Sequence, residues 1–313
     1  MSCCDGCFPV NVEAPPQRVL VLGGPTAAGK SDAALAVAER FGATVVSADA
    51  MQVYRGMDVG TGKVSAADRA RAPHLGIDVV DPHEAFDASD FCALAEAAIA
   101  QGPVVIAGGT SLYLQALRRG LVNTPPPDPA LRAQILALPS PHARLAEVDP
   151  PLAARLHPND LVRVLRGVEV FEQTGQRLSA LQAAHAAAPD RYEVVGLWLD
   201  RDDLEARIDA RVLQMMADGY VEEVRRLLRD GVDRSVKPML SLGYRHLAAH
   251  VLDGLDLEEA VRLTQRDTRR FAHKQRTWQN TLGYRPVAGG DLDAVLRVAH
   301  EVLGGSTGRG PGR

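Results

Sequence analysis

One short segment limits what this chain can fold into more than any other: residues 24–31, which are Gly-Pro-Thr-Ala-Ala-Gly-Lys-Ser. The segment follows an apolar run, residues 19–23, and precedes a run of good helix formers, residues 32–40. A strand, a glycine loop and a helix in this order form a phosphate-binding loop, where backbone N–H groups and the helix N-terminus face an anion. Gly24 and Gly29 give the backbone the freedom for that curl. The sequence therefore predicts a phosphorylated ligand on this loop.

Several residues of the loop are predicted to bind that ligand. All eight positions are predicted to contact it: Gly24, Pro25, Thr26, Ala27, Ala28, Gly29, Lys30 and Ser31. The Lys30 ammonium is suited to bridging phosphate oxygens as a point charge, and the Ser31 hydroxyl is suited to binding Mg²⁺. The competing interpretation is a chance match in a glycine-rich turn, which the flanking strand and helix patterns disfavour.

A carboxylate, Asp49, follows the next β-prone run, residues 43–48. Because ligands of open parallel sheets lie beyond the carboxyl ends of the strands, we expect Asp49 to face the same crevice as the loop. Asp49 could position Mg²⁺, act as a general base, or only cap a turn. The run at 103–107, where a kinase would carry a second acidic residue, ends in Gly108-Gly109-Thr110. Spacing alone does not separate these alternatives.

The remaining pattern predicts an α/β fold with a helical insertion. Residues 18–120 alternate strands and helices, which assemble as a P-loop NTPase-like parallel sheet flanked by helices. Three prolines open a stretch without strand signals, after which residues 192–200 return to a strand pattern. The predicted units are a disordered leader (1–17), a core with C-terminal helices (18–121 and 190–303), an inserted all-helical domain (122–189) and a disordered tail (304–313).

Charge and composition exclude several classes of protein. The net charge of −4 gives no general signal for nucleic-acid binding, so any basic partner surface must be local. No apolar run approaches the roughly 20 residues of a membrane span, and the N-terminus lacks the apolar segment of a signal peptide. Cys4 and Cys7 have metal-like spacing, but no second pair completes a site. A cytoplasmic location without membrane contact is therefore expected.

One local basic surface lies near the C-terminus. Between residues 262 and 276, basic side chains on helical spacing accompany a single carboxylate, Asp267. They are Arg262, Arg266, Arg269, Arg270, His273, Lys274 and Arg276. A solvated helix face usually mixes its charges, so the pattern favours a phosphate-backbone contact over a bland surface helix without excluding the latter. Trp278, just beyond, could stack on a base or anchor the helix to the core.

Taken together, these features resemble the tRNA dimethylallyltransferase family, also called tRNA isopentenyltransferases. The similarity runs in order from about residue 18 to residue 285. Its motifs are the phosphate loop, residues 47–63 (Ser-Ala-Asp-Ala-Met-Gln-Val-Tyr-Arg-Gly-Met-Asp-Val-Gly-Thr-Gly-Lys), Pro73-His74-Leu75, residues 108–113, residues 157–160, Gly243-Tyr244-Arg245 and the stretch to Thr277-Trp278. The block at 47–63 is far more specific than the phosphate loop, which many unrelated enzymes share.

The resemblance implies transfer of a dimethylallyl group from dimethylallyl diphosphate to N6 of adenosine 37, beside the anticodon of certain tRNAs, with release of diphosphate. It implies that Asp49 accepts a hydrogen bond or proton from N6 and that Thr110 positions the adenine or the diphosphate. Lys30, with Mg²⁺, would stabilise the leaving diphosphate, and Arg245 would clamp it. The target base must leave its stack, which requires a channel.

The same resemblance assigns residues to the RNA. The implied tRNA contacts are Asp49, Ala50, Met51, Gln52 and Thr110 around the base, Arg132, Arg163 and Arg166 in the insertion, and Arg266, Arg269, Arg270 and Lys274 in the basic helix. The inserted helices would close over the anticodon stem-loop. One chain carries every part that this reaction needs, so a monomer is expected.

The chain departs from the family pattern at a few positions. Ala28 and Ser31 are mild changes, whereas Leu240 stands where relatives usually carry Gln or Arg, so Arg245 or Lys237 would have to replace any contact from it. Three other functions stay open: an ATP-dependent small-molecule kinase, a prenyltransferase of free adenine nucleotides, and an RNA-binding protein whose loop senses a nucleotide. The missing second carboxylate and the basic helix argue against the kinase. The inserted helices argue against a prenyltransferase of free nucleotides, and the carboxylate beside the loop argues against a nucleotide sensor.

Overall fold

The strands that the structure describes form one sheet in which all neighbours are parallel. The computed structural model describes residues 17–304. Within them the strands are β1 (Arg18–Gly23), β2 (Thr44–Ser47), β3 (His74–Leu75), β4 (Val104–Gly108), β5 (Glu193–Asp200) and β6 (Arg285–Ala288). They lie side by side in the order β3-β2-β4-β1-β5-β6. The carboxyl ends of β2, β4 and β1 therefore meet at one edge, where parallel sheets bind their ligands.

Helices fill the connections between the strands, and one more follows the last strand. They are α1 (Lys30–Phe41), α2 (Ala66–Arg71), α3 (Ala88–Gln101), α4 (Ser111–Arg119), α5 (Pro129–Leu136), α6 (Pro141–Val148), α7 (Pro150–Ala153), α8 (Leu161–Thr174), α9 (Leu178–Ala186), α10 (Leu204–Ala217), α11 (Tyr220–Arg229), α12 (Tyr244–Asp253), α13 (Leu257–Arg276), α14 (Trp278–Leu282) and α15 (Leu292–Leu303), with a 3₁₀ turn at Lys237–Leu240. The four predicted strands are confirmed. The sequence did not reveal β3, which has two residues, or β6, whose Arg285-Pro286 start breaks a strand pattern.

Both faces of the sheet are buried, as β1 illustrates. Val19 and Val21 enter one apolar cluster, which includes residues of α3, α4, α11 and α12. Leu20 and Leu22 enter a second cluster, which includes residues of α1, α10 and α15. Successive strand residues thus supply opposite layers, which is why a buried parallel strand reads as a continuous apolar run. The predicted fold class, a parallel sheet flanked by helices, is confirmed.

Helices α5–α9, which lie between α4 and β5, surround an apolar core of their own. Its members include Ile135, Leu145, Leu152, Val164 and Val168, all of them buried. The predicted boundaries of the insertion, 122 and 189, stay a prediction. Apart from Gln17 and Gly304, the predicted leader and tail lie outside the described residues.

One buried carboxylate fastens the entry of this helical unit to α8. Glu169 is 0% exposed and accepts hydrogen bonds from the Asp128 backbone N–H (2.7 Å), Arg132 (2.8 Å) and Arg166 (3.0 Å). Arg166 also donates to the Thr124 hydroxyl (2.8 Å). Burial alone would raise the pKa of Glu169, but the hydrogen bonds from Arg166, Asp128 and Arg132 outweigh it and leave that pKa below its usual value. Arg132 and Arg166, two of the arginines that the sequence assigned to tRNA, thus hold residues 124–128, which we call the connector.

We expect Glu169→Gln to lower the free energy of unfolding at pH 7 by about 2 kcal/mol, because a charged acceptor of several hydrogen bonds becomes a poorer one. The folded-state pKa is lowered, so this contribution is fully present above the unfolded-state value of about 4.5 and is lost as pH falls below it. Urea unfolding at pH 7 and pH 4 measures both effects. Glu172→Gln, a part-exposed carboxylate of the same helix, is the control and should change stability by less than about 1 kcal/mol. Equal losses in the two variants would contradict the role of Glu169.

Candidate active site

The predicted phosphate loop runs from the end of β1 into the start of α1. Gly24 (φ +149°) and Gly29 (φ +93°) have left-handed backbones, and a Cβ on Gly24 would lie 2.3 Å from the Leu199 carbonyl oxygen. Position 24 therefore requires glycine, and the backbone at Gly29 favours it. The Lys30 ammonium folds over the loop and donates to the Pro25 carbonyl (2.6 Å). Ser31 is exposed at the first turn of α1.

Lys30 is poised to bind an anion. Burial lowers its pKa to about 8, with Asp49 acting to raise it and Arg211 acting to lower it. A bound diphosphate would restore the charged form, because an opposite charge nearby favours protonation of the amine. The loop can therefore couple anion binding to proton uptake.

Asp49 and Thr110 are held side by side where β2 and β4 end. The Thr110 backbone N–H donates to the Ala48 carbonyl (3.1 Å), and the Thr110 hydroxyl accepts from the Ala50 N–H (3.0 Å). One oxygen of Asp49 accepts from the Met51 N–H (2.8 Å). These bonds fix the directions of both side chains, which is a requirement for reactive groups.

Two cavities meet at Asp49. A small cavity of about 50 Å³ is lined by Asp49 together with Lys30, Ser31 and Gln52. A larger cavity of about 350 Å³ is lined at its polar end by Asp49, Thr26 and Thr110, together with Ala50 and Met51, and elsewhere mainly by the apolar side chains of Ile208, Val212, Met215, Tyr220 and Leu242. We call the larger one the central cavity. A polar ligand beside the loop and an apolar ligand in the central cavity would both reach Asp49.

Arg211 is a site residue that the sequence analysis missed. It lines the central cavity and also the groove beside Lys30 and Ser31. It is part-buried, and burial lowers its pKa while Asp49 and Asp32 act in the opposite direction. Its guanidinium donates to the Gly62 carbonyl (3.3 Å), and within residues 17–304 no carboxylate forms an ion pair with it. The signal was available: Arg211 interrupts the apolar helical stripe Ile208, Val212, Met215.

Two further polar residues also escaped the sequence analysis. Gln275 of α13 is buried, accepts from the Thr26 N–H (3.0 Å) and donates to the Gly109 carbonyl (3.2 Å), so it ties the phosphate loop to the end of β4. Glu223 of α11 is buried and accepts from the backbone N–H groups of 58–60 (2.8–3.0 Å) and from the Tyr244 hydroxyl (2.6 Å). Nothing local in the sequence marks either residue, because both reach the site through helix packing.

Gln52 lies inside the 47–63 block rather than in the central cavity. It accepts from the Ser47 hydroxyl (2.9 Å) and donates weakly toward the Thr61 and Gly62 carbonyls (both 3.4 Å). Its amide is therefore engaged in shaping this loop.

Apart from Lys30, the basic residues that the sequence assigned to the ligands do not line the two cavities. Arg245, Arg266 and Arg270 surround Asp267, and Arg245 is absent from the lining of the central cavity. Arg269 pairs with Asp209 and Arg163 with Asp160, whereas Lys274 is exposed and forms no ion pair within the described part of the chain. Trp278 is part-buried and packs on the core beside the sheet, as one of its two interpretations expected.

No group of three or more His, Cys, Asp or Glu side chains within residues 17–304 could hold a metal ion by itself. No helix in the same range has the length and hydrophobicity to cross a membrane. Ser31 offers a hydroxyl oxygen at this site, and a hydroxyl together with ligand and water oxygens is a donor set that would suit Mg²⁺.

Fold and site define a class of protein: an α/β protein of the P-loop type, whose phosphate loop adjoins a mainly apolar cavity with a carboxylate between them. A family model described as IPP transferase matches residues 52–281, and the chain belongs to this family. The tRNA dimethylallyltransferase 1 of Citrifermentans bemidjiense is 48% identical over 270 residues, covering 83% of this chain and 88% of that protein. Its namesake from Syntrophotalea carbinolica is 47% identical over 287 residues, covering 87% and 90%.

Solved structures agree with the family assignment. The tRNA isopentenylpyrophosphate transferase of Bacillus halodurans is 30% identical, with a TM-score of 0.65 over 92% of this chain and 96% of that one. A eukaryotic dimethylallyltransferase crystallised acting on tRNA shares the fold, with a TM-score of 0.76 at 24% identity over 88% and 75%. The resemblance drawn from the motifs is confirmed.

We expect inorganic diphosphate to bind more weakly as pH rises above about 8, because Lys30 of the free protein then loses its proton. Below that pH the amine is already charged, so its contribution is constant. Calorimetric titration between pH 7 and 9.5 measures the affinity, and Lys30→Arg is the control that stays charged throughout. The ratio of the two affinities cancels the ionisation of diphosphate itself. A ratio independent of pH would contradict the lowered pKa.

Proposed function

We propose that this chain transfers a dimethylallyl group from dimethylallyl diphosphate to N6 of adenosine 37 in tRNA, giving N6-isopentenyladenosine and diphosphate. The observation that carries the proposal is the position of Asp49, which borders both the polar cavity with Lys30 and Ser31 and the mainly apolar central cavity. A diphosphate on the loop and an allyl group with an adenine in the central cavity would meet at this carboxylate.

The first task of the site is to bind a leaving group. As the bond from the allylic carbon to the diphosphate oxygen breaks, both electrons stay on the diphosphate, and negative charge grows there. The Lys30 ammonium and the Arg211 guanidinium line the groove beside Ser31 and would stabilise that charge. When bound, Mg²⁺ on Ser31 would neutralise part of the same charge. Arg211 thus takes the clamping role that the motifs suggested for Arg245.

The second task is to hold the nucleophile. The adenine N6 forms the new bond to the allylic carbon and must lose one proton. One oxygen of Asp49 is occupied by the Met51 N–H, which leaves the other to accept from N6. The Thr110 oxygen accepts from the Ala50 N–H, so its own hydroxyl proton is free to donate to an acceptor on the adenine or the diphosphate. The two side chains therefore orient N6 toward the carbon.

The remaining parts of the proposal concern the partner. The adenine reaches a cavity inside the protein only after leaving its stack, so the acceptor is an unpaired loop nucleotide. Helices α5–α9, with the exposed Arg163, and the exposed Lys274 on α13 would face the anticodon stem-loop. We place this activity in the cytoplasm, without membrane contact. We expect a monomer, since both cavities are lined within one chain.

Asp49→Asn should lower the rate of transfer by roughly 10²- to 10⁴-fold, because the general base is lost while the shape of the site is kept. The assay combines the protein, Mg²⁺, labelled dimethylallyl diphosphate and unmodified tRNA under single-turnover conditions, with tRNA affinity measured separately and expected to change little. Asp293→Asn, an exposed carboxylate on α15, is the matched control. Near-normal turnover in Asp49→Asn would remove this residue from the chemistry, and label transfer from ATP to small acceptors would favour the kinase.

Arg211→Gln should raise the KM for dimethylallyl diphosphate by roughly tenfold or more, because a hydrogen bond to a charged ligand is lost. Product inhibition by diphosphate should weaken in parallel, whereas the KM for tRNA should stay within about twofold. Arg225→Gln, which removes an exposed arginine already paired with Glu222, is the control. A change confined to the KM for tRNA would place Arg211 on the RNA side instead.

A further inference from the structure

Two large apolar side chains are exposed at the central cavity. Leu240, at the end of the 3₁₀ turn, is 55% exposed, and Phe271 of α13 is 44% exposed. Both line the cavity, in contrast to its inner apolar wall, where Ile208 and Val212 are buried. Exposed apolar groups at the rim of a site lose contact with water when a ligand covers them. We call Leu240 and Phe271 the apolar rim.

A cluster of guanidinium groups lies on the same elements. Arg245 of α12 and Arg266 of α13 each donate to the buried Asp267, and Arg270 lies 3.8 Å from that carboxylate. Three arginines thus share one carboxylate, so the cluster keeps an excess of positive charge. The other ion-paired arginines of α13 differ, because Arg262, Arg269 and Arg276 have carboxylates of their own in Glu259, Asp209 and Asp200.

The apolar rim and the guanidinium cluster are adjacent in the fold. Phe271 follows Asp267 by one helical turn on α13, and Arg270 precedes Phe271. On the other element, the backbone N–H of Arg245 donates to the carbonyl of Ser241 (3.2 Å), the residue directly after Leu240. The apolar rim of the cavity and the guanidinium cluster are therefore neighbours along the chain on both elements.

We propose that this juxtaposition is a subsite for the RNA nucleotide next to the target adenosine, an inference that rests on the proposed function. The base lies on the apolar rim formed by Leu240 and Phe271, and its phosphate contacts Arg245, Arg266 and Arg270. Extruding the target base removes a stacking partner from its neighbour, and an aromatic side chain replaces it. Guanidinium groups match phosphate geometry, and Asp267 is the positioning residue that gathers them.

The base contact is tested with anticodon stem-loop RNAs that lack one base, on either the 5′ or the 3′ side of the target adenosine. In the unmodified protein, loss of the contacted base should weaken binding roughly tenfold. In Leu240→Ser/Phe271→Ala the intact RNA should bind about as weakly, and removal of the base should add less than about twofold. Phe271→Trp should retain the contact, and Leu252→Ser, an exposed leucine of α12 outside the cavity lining, should behave as unmodified.

The phosphate contact is tested through the salt dependence of the same binding. Arg270→Gln should reduce the slope of log affinity against log salt by about 0.7 to 0.9, whereas Arg225→Gln should leave it unchanged. Asp267→Asn should weaken binding although it removes a negative charge, because the arginines lose the group that holds them. Tighter binding by Asp267→Asn would overturn its positioning role.

The subsite would be overturned if removing either base weakened RNA binding by the same factor in Leu240→Ser/Phe271→Ala as in the unmodified protein. That result is distinct from failure of the proposed function. In the latter case the unmodified protein would neither bind the intact stem-loop nor prenylate it, whereas failure of the subsite alone leaves both activities in place.

Discussion

The site depends on the register between two neighbouring parallel strands. Because β2 and β4 end together, the Thr110 N–H can reach the Ala48 carbonyl, and the Thr110 hydroxyl can reach the Ala50 N–H. Gly108 makes this approach feasible, since a Cβ there would lie 2.1 Å from the Ala48 oxygen. A shift of one residue would turn both side chains to the other face of the sheet. The register of the two strands, together with the bond from the Ala50 N–H to the Thr110 hydroxyl, therefore places Asp49 beside the phosphate loop.

Buried carboxylates organise the rest of the molecule around that edge. Glu223 holds the turn at 58–60, Glu169 holds the connector to the helical unit, and Asp267 gathers arginines beside the cavity. Each acid satisfies several donors at once, which is the condition under which a buried charge is tolerated. The negative net charge of the chain thus coexists with a local cationic surface, because Asp267 is buried while the guanidinium groups around it are at least partly exposed.

Much of the fold and part of the site could be predicted from the sequence. There is a physical reason why some site residues could be predicted and others could not. The phosphate loop and Asp49 lie directly after strands, so a contiguous pattern locates them. Arg211, Gln275 and Glu223 come from helices far along the chain, and only packing brings them to the same edge. Arg245 shows the opposite case. Its motif was recognisable in the sequence, but its ion pair with Asp267 was not, because the two residues meet only when α12 packs on α13.

The connector to the helical unit has a mechanical consequence. Arg166 and Gln173 of α8 donate to Thr124 and to the Pro126 carbonyl, so residues 124–128 are fastened to the helices they lead into. The two chain crossings are joined at the other side, where Arg118 pairs with Asp190 and its carbonyl accepts from the Arg191 N–H. If α5–α9 rotate against the sheet, the rotation must therefore occur at the few residues between the contacts of 124–128 and the contacts of Arg118. The helices would then move as one rigid body.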